Sequence, residues 1–162
     1  VTRKIVRRGL VLAVLLFWIG GFTFYAAVVV PVGQEVLGSH RKQGFVTRQI
    51  THYLNLAGAV ALVPLAWDTA VSRTGSPRRR RARWAAWLGM GLTLGLLVWL
   101  HVRLDDLLDL ESFAIRDSHA FYLDHQRYLW VSTAQWVCAL VYGVLALQEW
   151  RDEDSTTSSP SH

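Results

Sequence analysis

The chain has 162 residues, 52% of them hydrophobic, and a formal net charge of +5. Its length holds one domain, and its mean hydropathy of +0.24 is high for a water-soluble protein of that size. The basic excess does not point to nucleic acid, because Lys and Arg cluster beside apolar segments, where anionic lipid headgroups are the fitting partner.

An apolar run of roughly 18 residues or more without charge reads as a membrane span. Gly9 to Val30 meets this, with Thr23 and Tyr25 as its polar side chains. A basic start (Arg3, Lys4, Arg7, Arg8) before an apolar run also describes a signal peptide. The apolar region of such a peptide is only about 7 to 15 residues long, and this run is longer and lacks a small-x-small site, so an uncleaved first helix is expected. Pro31 has no amide to continue the ladder and is expected to end that helix. Gly33, Gly38 and Gly44 then mark a polar loop carrying His40.

In the second helix, Thr47, Arg48, Thr51, His52 and Asn55 share one face, opposite Ile50, Tyr53, Leu54 and Leu56. A span over 52–70 is expected despite Asn55 and Pro64, with Asp68 reaching towards Arg73. The segment 72–77 reads as a turn. The basic run Arg78, Arg79, Arg80, Arg81 follows and is expected to fix topology and to contact anionic headgroups.

The third span covers 84–102. Its Gly91-x-x-x-Gly95 spacing predicts close approach of another helix, and Asp105 is placed one turn from His101, able to orient the imidazole. A break is expected over 112–116. Asp117 or Ser118 is then the expected N-cap of a fourth helix that reaches about Trp150, with its span over 127–149. The tail 151–162 has charge, Ser, Thr and Pro but no apolar residue, and reads as a disordered cytoplasmic segment.

These spans predict an all-α, polytopic four-helix bundle over 1–150. With both termini inside, eleven of the Lys and Arg residues are cytoplasmic and six lie opposite, the bias that orients multi-pass proteins. A bacterial-type inner membrane is the expected location. Trp67, Trp84, Trp87, Trp99 and Trp150 fall near the predicted interfaces and read as anchors. Cys138 has no second cysteine in this sequence with which to pair.

The polar stripes of the last three helices meet in the outer half of the membrane. Arg48, Asn55, Tyr128, Ser132 and Gln135 are the candidate pocket residues, because polar groups at that depth turn into a bundle rather than towards lipid. His52, His101 and His125 lie at similar depth on three helices and are the candidate ligands for haem or copper. No H-x-x-x-H, H-E-x-x-H or cysteine cluster accompanies them. Ser132 and His125 are about 10 Å apart along one helix at 1.5 Å per residue, too far for a nucleophile and its base.

The string FWIGGFTFYAAVVVP, over 17–31, resembles the W-x-G-G start of several bacterial four-span families. Among these are proteins similar to eukaryotic transmembrane protein two-oh-five and, more remotely, copper-resistance D-type proteins and HemJ-type protoporphyrinogen oxidases. The string FYLDHQRYLWVSTAQW, over 121–136, is similar to the first of these families, which places His125, Ser132 and Gln135 on its pattern. The resemblance implies the four-helix architecture. The HemJ-type pattern has a histidine shortly before its tryptophan, whereas this chain has Arg7 and Arg8 upstream of Trp18.

The function expected from the sequence is that of a non-catalytic accessory or interaction component, working with other membrane subunits through a polar outer pocket. A haem- or copper-binding redox role is the alternative. Small-solute transport is a third reading, weakened by inner helix halves that read as apolar.

Overall fold

A computed structural model describes residues 2–72, 76–109 and 114–157, nearly all of them in long helices. The first runs without a break through α1 (Thr2–Phe24), a π-helical turn (Tyr25–Val29) and α2 (Val30–Leu37). Pro31 therefore does not end the helix as its chemistry predicts. In the wide π turn the Val30 N–H donates to the Tyr25 carbonyl, five residues back. Pro31 consequently falls directly after the π turn, where the widened backbone accommodates its ring and its missing amide within a continuous helix. The helix stops instead at Gly38, whose φ of 57° is left-handed and suits a residue with no Cβ.

Ser39 caps α3 (His40–Val71) by accepting the Lys42 N–H at 3.4 Å. Ser76 likewise caps α4 (Pro77–Asp106), with Pro77 at the first position, where its fixed φ favours a start. A short antiparallel pair follows, β1 (Leu108–Asp109) with β2 (Ala114–Ile115), Leu108 opposite Ile115. Asp117 then opens α5 (Ser118–Thr157): its Oδ1 accepts the amides of His119 and Ala120, each at 3.0 Å, the expected cap. The predicted break over 112–116 lies partly outside the described residues.

α5 does not end at Trp150. Residues 151–157 continue it, because Asp152, Glu153 and Asp154 meet cations of α1 and α4. The disordered tail expected from 151 is corrected to that extent, and 158–162 lie outside the described residues.

Among the described residues, four helices are long and apolar enough to cross a membrane. α1 packs on α3, α3 on α4 and α4 most extensively on α5, whereas α1 and α5 meet only sparsely. Sequence neighbours are thus spatial neighbours, and the bundle stays open along one side. Its core is built from Val11, Leu15 and Trp18 of α1, Ala61 and Leu65 of α3, Met90 of α4 and Ala139 of α5. Phe17, Leu92 and Trp130 point outwards, an apolar exterior that water would not stabilise.

Close helix approach occurs away from the predicted motif. A Cβ on Gly95 would meet nothing within 4 Å, and one on Gly91 would only touch Leu62 at 4.0 Å. At Gly58 a Cβ would stand 2.8 Å from the Trp18 indole, so that glycine is what lets the ring of α1 lie against α3. Gly58→Leu is expected to push α1 off α3 at a cost of about 1–3 kcal/mol, whereas Gly95→Leu should be nearly neutral. Unfolding of the detergent-solubilised variants with SDS measures both.

Candidate functional site

Two polar layers are buried in the bundle, one at each end. The layer at the loop end contains the residues that the sequence singled out. Arg48 of α3 grips Asp105 of α4 through Nε at 2.5 Å and Nη2 at 2.9 Å, a bidentate pair. Both side chains remain partly open, 32% and 25% exposed. Asp105 is therefore committed to the guanidinium, and it stands 3.7 Å from His101 Nε2 instead of orienting that ring by a hydrogen bond. On its other side, His101 Nδ1 lies 3.5 Å from the Thr51 hydroxyl.

The His52 and His101 rings are 6.1 Å apart between centroids, although His52 is exposed and also edges against Tyr53. His125 turns elsewhere, its ring stacked on Phe121 at 6.0 Å. Deeper in the bundle, Asn55 Nδ2 donates to the Tyr128 hydroxyl at 3.3 Å, joining α3 to α5. Buried Asp124 gathers Arg103 at 3.1 Å and Arg127 at 2.8 Å at this same end.

Ser132 and Gln135 do not join that group. Both are buried against α1, where with Trp18, Ile19, Phe22 and Trp136 they wall a space of about 10 Å³. This is roughly the room for one water. The single pocket expected from helical phase thus divides into an Arg48–His101–Tyr128 group and a separate α1-facing pair. The periodicity of α5 put Tyr128, Ser132 and Gln135 on one face correctly, but it carried no information on which neighbour each would meet. Among the described residues, no group of three or more His, Cys, Asp or Glu side chains is placed to hold a metal ion.

The layer at the terminal end is the larger finding. Asp68 of α3 is 0% exposed and Arg83 of α4 only 1%. They form an ion pair, and Arg7 of α1 reaches the other Asp68 oxygen with Nε at 3.0 Å. Arg7 Nη2 also donates to both oxygens of Glu153 on α5, at 3.2 and 3.0 Å. Arg8 continues the series to Glu153 at 2.9 Å and Asp154 at 2.8 Å, and Lys4 closes it on Asp154 at 3.0 Å. Charges of alternating sign therefore run through all four helices.

Neutral groups complete this layer. Arg83 Nη2 donates to the Tyr142 hydroxyl at 2.8 Å and its guanidinium lies 5.0 Å from that ring's centroid. The Tyr142 hydroxyl donates in turn to the Leu65 carbonyl at 2.7 Å and meets Thr69 at 2.9 Å.

Several sequence expectations change here. Asp68 is held by Arg83 and Arg7; Arg73, its expected partner, lies outside the described residues. The inner helix halves are not uniformly apolar. The arginine run is sorted by helical phase: Arg79 pairs with Asp152, whereas Arg78, Arg80 and Arg81 are exposed. Trp150 is not an exposed anchor either; it is buried beneath the Arg8 guanidinium, 5.5 Å from its ring centroid. The signal available in the sequence was one aspartate, Asp68, inside an otherwise apolar stretch, because ionisable groups at such positions pair inside a bundle.

No family model matches this chain, and no curated protein or solved structure matches it.

Burial ranks the two layers energetically. Asp68→Asn leaves two guanidinium groups facing a neutral amide in a closed site and is expected to cost about 3–5 kcal/mol. Asp105→Asn loosens a pair open to solvent and should cost about 1 kcal/mol or less. SDS titration of the purified variants gives the order, and equal losses would contradict it.

Proposed function

We propose that the chain is a multi-pass protein of a bacterial-type cytoplasmic membrane, with both termini inside, serving as a non-catalytic component of an assembly with other membrane subunits. The observation that carries this reading is the alternating ion chain from Arg83 to Lys4. It ties all four helices into one body at the basic end, which the charge bias assigns to the cytoplasm. Asp68, Asp105, Asp124 and Glu153 each engage a guanidinium, which makes them poor general bases. The resemblance of residues 17–31 and 121–136 to the transmembrane protein two-oh-five-like family would imply the same architecture. The exposed Arg78, Arg80 and Arg81 suit anionic headgroups at the inner surface.

Under this reading the loop-end layer faces outwards and presents His52 and Tyr53 to a partner. Two measurements test it. In a Cys138→Ala background, a single cysteine in place of Arg80 should resist impermeant thiol reagents in intact cells and react after lysis. A photo-crosslinker at His52 should give one discrete adduct with another membrane protein, lost in Arg48→Gln; adducts with lipid alone would reject the accessory role.

The spacing of His52 and His101 favours a second reading, in which the two imidazoles supply donors to copper or to haem iron. Protein purified in detergent should then carry a visible band or stoichiometric metal that is lost in His101→Ala. A folded, colourless and metal-free sample rejects it. Transport has less support, because Ala61, Leu65, Met90 and Leu94 fill the layer between the two polar ends.

A further inference from the structure

Where α1 and α5 fail to close the bundle, a cleft of about 330 Å³ opens to the side. Leu12 and Leu16 rim it from α1, Val144 and Leu147 from α5, and Gly20 and Gly143 give it depth. We infer that this cleft holds one acyl chain of an anionic phospholipid. The inference rests on the membrane reading above.

The lining suits a hydrocarbon chain. At about 1.5 Å per residue, the lining from Leu12 to Gly20 is roughly 12 Å long and that from Ala139 to Trp150 roughly 16 Å. Aliphatic side chains line both walls over that length, and a file of methylenes touching them at about 3.5–4.0 Å matches such a lining.

Charge sets the direction and the headgroup. Arg8 lies one turn before Leu12 on α1, and Arg151 one turn after Leu147 on α5, so the two guanidinium groups flank the same end of the cleft. Arg8 already serves Glu153 and Asp154, but Arg151 is exposed, and its side chain forms no ion pair among the described residues. Trp150 closes that end of the lining with its ring. Around this end, ten basic residues (3, 4, 7, 8, 78–81, 83 and 151) face five acidic ones (68, 149, 152, 153 and 154). The opposite end of the cleft, at Ile19 and Gly20, has no charged side chain in its lining.

The test uses the full chain in vesicles of equal phosphatidylglycerol and phosphatidylcholine, then transferred to detergent for native mass spectrometry. Wild type should retain one phosphatidylglycerol in excess over phosphatidylcholine. Arg151→Gln should keep a lipid but lower that preference about fivefold. Gly20→Leu fills the cleft, and its new Cβ meets no atom within 4 Å; it should lose the lipid while keeping its helix content and its SDS midpoint. Gly143→Leu gives the same loss from the other wall. Equal retention in wild type and Gly20→Leu overturns the inference, as does a dimer that Gly20→Leu dissociates. Flotation separates the two failures: a chain that does not float with vesicles refutes the membrane reading, whereas one that floats but retains no lipid refutes only the cleft assignment.

Discussion

A charge shut away from water must find an opposite charge, and in this protein that requirement determines how the helices meet at one end. Asp68 has no solvent access, so its placement depends on Arg83 from α4 and Arg7 from α1 arriving together. Arg7 in turn depends on Glu153, which lies on α5. Each group is stabilised only while its neighbours are present, and removing one leaves a buried charge uncompensated. The helix extension through 151–157 is part of the same system, since Glu153 and Asp154 are ordered by cations from α1.

The loop end is built on weaker terms. Its Arg48–Asp105 pair is partly open to solvent, and the Asn55–Tyr128 bond is a neutral contact at 3.3 Å. Such contacts fix orientation without locking the helices. Between the ends, Trp18 against Gly58 and the side chains of Leu65, Met90 and Ala139 form an apolar layer held mainly by packing. A molecule tied by ions at one end, packed in the middle and polar at the other is a stiff body with one adaptable face. That combination agrees better with an interaction role than with a conducting path.

The first helix brings these zones together. Because the π turn at Tyr25–Val29 absorbs Pro31, a single element carries Arg7 to the terminal layer, Trp18 to the core and Tyr25 to Thr47 at 2.7 Å near the loop end. Its sparse contact with α5 is the other side of that geometry. Following α3 along its length, α1 leaves a gap beside Gly20 and Gly143.

Patterns local in the chain were legible from the residues. Four apolar runs of sufficient length, the Asp117 cap and the inward face of Tyr128, Ser132 and Gln135 follow from hydropathy, capping chemistry and the 3.6-residue period. Each of these depends only on neighbours within a few turns. The partners of the ionisable groups were not legible. Which cations Asp68 meets, whether Asp105 serves His101 or Arg48, and whether residues 151–157 fray or continue α5 depend on which helices lie side by side and at what height. Pairing across helices separated by more than a hundred residues, as between Arg7 and Glu153, has no periodic trace in the sequence. Apolar length and helical phase were thus determined by the sequence itself, while the division of its charges into two layers was decided by packing, because only the assembled bundle removes water from around them.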